Sequence, residues 1–371
     1  KKVRLSVHRK ACYCERSEQQ PSILSIPIYM PKNIVKSASL AYNIHTNPKE
    51  VLYKMKDTKH KILTLAALTT IAAGVIHLTN RVIVASSQLK EMLDFSNHNY
   101  YNWRFGKIYY TKKGKGSPLL LIHDTMPGAS GYEWSRVEDQ LAQEHTVYTL
   151  DLLGCGRSEK AGITYTNFLF VQIICDFIKN VIKEKTDIIA SGFSCSFVTT
   201  AAAYDKESIN KIMFINPVSM ISLAQTTTKK DKLFKFFIEL PIFGTFIYHI
   251  IVSRETINDF FLDKLYYNPF HVDKDVLDAY YEAAHKGGYY AKCLYSSQSA
   301  KYMNINIRHA VESIDNSIYI VEGEDEPNGA AIVEAYQKVN PAIESATIPC
   351  SKHFPHIENA EAFLEQVGAF F

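Results

Sequence analysis

From residue 118 onward the chain alternates short, mostly apolar runs with helix-length amphipathic stretches, and this alternation restricts the available folds more than any other feature. The apolar runs fall near 118–122, 146–150, 186–190, 211–215, 317–322 and 343–348. Helical patterns lie around 131–144, 166–184, 195–205, 329–338 and 358–370. Strands apolar on both faces are covered on both sides, and strands separated by helices pair in parallel. The pattern therefore predicts an α/β fold, a mostly parallel sheet with helices on both faces. Ahead of it, Trp103–Thr111 (WRFGKIYYT) alternates as a strand, followed by a turn at Gly114–Ser117.

The stretch 217–316 breaks this rhythm. It is too long for one crossover and reads as several helices, which predicts a helical cap inserted after the sixth strand, between core segments 100–216 and 317–371. Its many aromatics, from Phe234 to Tyr295, suit either an apolar substrate tunnel or the packing of cap helices on one another. Leu233–Val252 is apolar too, but Lys235, Glu239, Pro241, Gly244 and His249 interrupt it, so it is not read as a membrane span.

Residues 62–78 (ILTLAALTTIAAGVIHL) carry no Lys, Arg, Asp or Glu and are about the minimum length for a bilayer core. Lys54, Lys56, Lys59 and Lys61 precede them and Arg81 follows, so the positive-inside rule places the C-terminal body on the extracytoplasmic side. Residues 55–85 thus read as an N-terminal hydrophobic helix that is a membrane anchor or, with small residues at 84–87, an export signal. Residues 1–54 show no sustained period and read as a disordered or non-native extension, with Met55 as the natural start.

Charge narrows the function classes. Of 41 basic and 38 acidic residues, 13 and 4 lie at positions 1–61, which leaves the body mildly acidic. No basic groove for nucleic acid is visible there. The seven cysteines include no CxxC pair, and neither a metal site nor a disulfide framework is supported.

The run 187–196 (DIIASGFSCS) reads as an apolar strand, a tight turn and a helix start, the layout that lifts a serine hydroxyl to a helix N-terminus. Three further segments stand in order: 119–128 (LLLIHDTMPG), 147–158 (VYTLDLLGCGRS) and 318–327 (IYIVEGEDEP). A fourth, 350–359 (CSKHFPHIEN), closes the series.

Together these segments resemble the α/β-hydrolase family over residues 100–371. The resemblance implies Ser194 as nucleophile, His353 as general base and Glu326 as the acid that orients it, with Asp325 the alternative acid. It also implies an oxyanion hole from the backbone N–H groups of Thr125 and Cys195, and no metal or organic cofactor. Asp151 and Arg157 would hold the turn at 151–158. A serine nucleophile sets the chain apart from family branches that use aspartate, such as epoxide hydrolases. The sequence departs from the family pattern at Asp124, where His-Gly is usual, at Ser196, where the elbow has glycine, and at Glu326. The implied activity is hydrolysis of a carboxylic ester or related acyl bond in a small, apolar substrate. A carbon–carbon bond hydrolase on the same triad, or a membrane-tethered binding protein that has lost efficient chemistry, fits the same residues.

Overall fold

The computed structural model describes residues 58–93 and 99–371. The extension 1–54, Met55, Cys12 and Cys14 lie outside the described residues.

Eight strands form one sheet: β1 (Asn99–Trp103), β2 (Gly106–Lys113), β3 (Ser117–Ile122), β4 (His145–Leu150), β5 (Thr186–Ser191), β6 (Ile209–Ile215), β7 (Ile318–Gly323) and β8 (Glu344–Ile348). Their order is β1-β2-β4-β3-β5-β6-β7-β8. β1 and β2 pair antiparallel, as do β2 and β4, and the remaining pairs are parallel. The expected single strand at 103–111 is instead a hairpin. Trp103 pairs with Gly106, whose φ of +148° lets the chain reverse over two residues.

Why the central strands are apolar throughout follows from the two cores. Alternate residues Leu120, Ile122, Ile188, Ala190, Ile212 and Phe214 face one cluster, while Leu119, Leu121, Ile189, Met213 and Ile215 face the other. Helices α2 (Asn167–Phe177), α3 (Ser194–Tyr204) and α9 (Gly329–Val339) fill the first with Phe170, Phe197 and Tyr336 among others. The last helix, α10 (Ala360–Phe370), closes the second with Phe363 and Val367. Each large apolar side chain buried in this way contributes about 1.5–3 kcal/mol relative to exposure. The expected helix at 131–144 is only a 3-10 turn, Gly131–Trp134, and a short helix, Glu138–Leu141, because Glu133 and Trp134 turn inward.

Between β6 and β7 lie α4 (Lys229–Glu239), α5 (Phe243–Ile251), α6 (Arg254–Phe260), α7 (Lys274–His285) and α8 (Lys292–Ser299). Tyr248, Phe261 and Tyr280 of this insertion pack with Ala129, after β3, and Phe354, after β8. The insertion therefore lies over the ends of the strands that carry the loops described below. Ahead of the sheet, α1 (Thr58–Ser87) contains Leu63–Ser87, long and apolar enough to cross a membrane. Its last turns dock on α5 and α7.

Candidate active site

The turn after β5 is tight. Gly192 holds φ at +56°, a conformation that costs an L-residue about 1–2 kcal/mol, and α3 begins two residues later. The apex of this strand-to-helix elbow is thus Gly192, not Ser194. Ser194 already lies in the helix, fully buried, and its Oγ donates to the carbonyl of His123 at 2.6 Å. The N–H of Cys195 donates to Gly192 O at 3.4 Å, as a helix-start amide does. The Ser194 hydroxyl is therefore paired with the His123 carbonyl and not with His353, and the Cys195 amide is engaged in the first turn of α3 and not free to serve an oxyanion. The physical reason is register: the elbow sits two residues earlier than the serine string suggests.

Asp124 fills the place this leaves. A Cβ built on Gly192 would stand 2.4 Å from Asp124 Cγ and Oδ2, so the carboxylate occupies space that a side chain at the apex would need. Two backbone amides converge on its Oδ1. Thr125 N–H donates at 2.6 Å and Phe193 N–H at 2.9 Å. Thr125 is the donor expected from the sequence, and Phe193, the residue after the apex, stands in for Cys195. A carboxylate thus stands after His123 and a glycine at the apex of the turn after β5.

The other carboxylate oxygen, Oδ2, lies 3.5 Å from His353 Nε2, and Glu326 Oε1 lies 3.4 Å from His353 Nδ1. Burial disfavours the imidazolium, but the carboxylates of Glu326 and Asp124 outweigh it and hold His353 well above its usual range. Asp325 is exposed, and its backbone N–H is tied to Ser351 O at 3.0 Å. Of the two candidate acids, then, it is Glu326 that reaches the histidine.

Residues overlooked in the sequence hold this cluster in place. Asn216, at the end of β6 with φ +44°, donates from Nδ2 to the carbonyls of Lys352 (2.8 Å) and His353 (2.9 Å). Its Oδ1 accepts the Gly323 N–H at 3.1 Å, which ties the histidine loop to the end of β7. Glu133, fully buried, accepts the Asp124 N–H at 3.1 Å and faces the equally buried His356 at 3.4 Å. Asp151 accepts N–H groups from Gly131 (2.6 Å) and from Arg157 (2.6, 2.8 and 2.9 Å) and binds the turn at 151–158 as expected. Burial opposes its charge, but Arg157 prevails and lowers its pKa to about 2. Beside Thr125, a cavity of about 10 Å³ opens against Gly128, Cys155, Tyr248 and Tyr295, room for about one water. Among the described residues, no group of three His, Cys, Asp or Glu side chains stands together to hold a metal.

Residues 119–366 match the alpha/beta hydrolase family. The chain belongs to that family. This alpha/beta hydrolase is 28% identical over 114 residues to the 2-hydroxy-6-oxo-6-(2'-aminophenyl)hexa-2,4-dienoic acid hydrolase of Metapseudomonas resinovorans, covering 30% of this chain and 39% of that one. It is 29% identical over 109 residues to the soluble epoxide hydrolase of Corynebacterium sp. (strain C12), covering 29% and 37%. The matches thus span less than two fifths of either relative. Among solved structures, the epoxide hydrolase CorEH without ligand superposes with a TM-score of 0.61 at 18% identity, over 74% of this chain and 98% of that chain. The curated relatives of this alpha/beta hydrolase are hydrolases, an esterase among them.

Proposed function

We propose that this alpha/beta hydrolase works through the carboxylate of Asp124, not a serine hydroxyl, and hydrolyses a small, apolar molecule at an electrophilic carbon that carries a leaving group. One observation carries the reading: Oδ1 of Asp124 sits in the two-amide cradle while Oδ2 faces His353. A substrate carbonyl cannot use amides that Asp124 already fills, which argues against acyl transfer. The same amides are placed for an oxyanion that develops on Asp124 itself.

In the first step Oδ2 attacks the carbon, the leaving group departs as an anion, and an ester forms on Asp124. Esterification removes one of the two negative charges beside His353, which lowers its proton affinity and frees the proton to solvent. Neutral His353, held by Glu326, then takes a proton from water as the oxygen attacks Asp124 Cγ. The amides of Thr125 and Phe193 hold the resulting oxyanion. Collapse expels the alcohol, which takes the proton from His353, and restores the carboxylate. The net reaction consumes one water and yields an alcohol, the leaving anion and a proton; with an epoxide the displaced oxygen stays attached, takes up that proton, and the product is a diol. The similarity to a soluble epoxide hydrolase supports this class of electrophile.

The membrane-facing part of the reading rests on α1, whose Leu65, Leu68, Ile71 and Val75 are all exposed. We read it as a single span that tethers the hydrolase domain, with residues 217–316 as the cap.

A second reading is favoured by the charge balance: a cationic His353 between two carboxylates is also a charge-compensated cluster, which a protein kept only for binding would retain. The two are separated by His353→Gln, which stops the second step. Incubation with a panel of alkyl halides and epoxides should leave a substrate-sized mass increment on the peptide containing Asp124, absent in Asp124→Asn. A fluorophosphonate probe should not label the wild type. Labelling at Ser194 would overturn the proposal, and no adduct across the panel would favour the binding protein.

A further inference from the structure

We propose that the corner between α4 and α5 is a second membrane contact, seated in the lipid headgroup and upper acyl region beside the point where α1 leaves the bilayer. The proposal rests on the reading of α1 as a span. At the corner the chain bends by 103° through Leu240, Pro241 and Ile242, and Ile242 is held at φ +55°, a conformation that β-branched residues rarely adopt. Asn80 of α1, just past the apolar run 62–78, donates to the Ile242 carbonyl at 3.0 Å, which fixes the corner beside the end of that run.

Around that bond the apolar surface is continuous in character. Leu233, Phe236, Phe237 and Phe243 are 57%, 59%, 47% and 52% exposed, while the same two helices bury Ile238 and Tyr248 inward. Leu233, Phe236 and Phe237 stand at i, i+3 and i+4, a single outward stripe on α4. Exposed Lys229, Lys230 and Lys232 open the same helix. Aromatics backed by lysines are the composition of a helix lying in a bilayer interface that carries anionic lipid. A partner protein would suit the aromatic stripe alone. The attachment to an apolar span, together with the lysines, favours lipid. Since α5 also carries Tyr248 on the cavity beside Thr125, the contact would bring the candidate active site close to the bilayer and suit a lipid-soluble substrate.

The test uses the full chain in vesicles of phosphatidylcholine and phosphatidylglycerol, with Phe236→Trp and Phe243→Trp as reporters. Tyr204→Trp, at the far end of α3 and 76% exposed, is the control that stays in water. The native Trp103 and Trp134 are buried and give a constant background. Expected is a blue shift and at least about twofold quenching by acyl-brominated lipid at positions 236 and 243, and neither effect at 204. Vesicle flotation with all three reporters equally unquenched would overturn the corner contact while leaving the anchor intact. Failure of the chain to float would overturn both.

Discussion

Gly192→Ser tests whether Asp124 and the elbow glycine have exchanged roles. A side chain at φ +56° costs about 1–2 kcal/mol by itself. Its Cβ would also stand 2.4 Å from Asp124 Cγ, so the carboxylate must leave the cradle. Two charge-assisted bonds, at 2.6 and 2.9 Å, are then lost, each worth about 1.5–3 kcal/mol. The single variant should lose about 4–8 kcal/mol. Asp124→Gly forfeits the same two bonds, about 3–6 kcal/mol, together with one of the carboxylates beside His353. In the double variant the clash is gone and the bonds can be lost only once, so it should be at least about 2 kcal/mol more stable than the sum of the singles. Urea midpoints followed by near-ultraviolet circular dichroism, all in one detergent, give the cycle. The introduced hydroxyl, now at the apex and free of Asp124, should also confer fluorophosphonate labelling that the wild type lacks. Additivity within about 0.5 kcal/mol would refute the exchange.

Other substitutions separate support from chemistry. Ser194→Ala should cost about 1 kcal/mol, for the bond to His123, and leave turnover within about twofold; loss of turnover comparable to that of Asp124→Asn would reinstate the serine. Because His353 is raised in the fold above its unfolded value near 6.5, the stability it brings is full below about pH 6.5 and falls as pH rises through the folded value. Urea midpoints between pH 6 and 10 should decline in the wild type and flatten in His353→Gln. Asp151, lowered to about 2, behaves oppositely: its contribution of about 2–3 kcal/mol is present above about pH 4 and lost as pH falls toward 2, a decline that Asp151→Asn should lack.

The sheet was legible because its strands are short and apolar on both faces, and the centres of all six expected strands from 118 onward fall inside observed ones. The hairpin at 99–113 was not, since its reversal over Arg104 and Phe105 carries no strong turn signal apart from Gly106. The places of His353, Glu326 and Thr125 were legible because each follows a strand end directly, while their roles belong to the proposed function. The register of the elbow was not legible, because small residues stand at 190, 191, 192, 194 and 196 and two registers fit the same letters. What separates them is the backbone: only one residue of that turn, Gly192, has positive φ. Asp124 was visible as a departure from His-Gly, but its meaning depends on a glycine 68 positions away whose missing Cβ makes room for it.

The amides of Thr125 and Phe193 belong to the main chain, and no substitution except proline removes them. A cradle made in this way outlasts whichever side chain it serves and can be filled from either strand that borders it. Divergence at such a site can therefore move the reactive group from one strand to its neighbour without rebuilding the cradle. A glycine found at the elbow of a related sequence is then not by itself a mark of a dead enzyme: the residue after the β3 histidine has to be read with it.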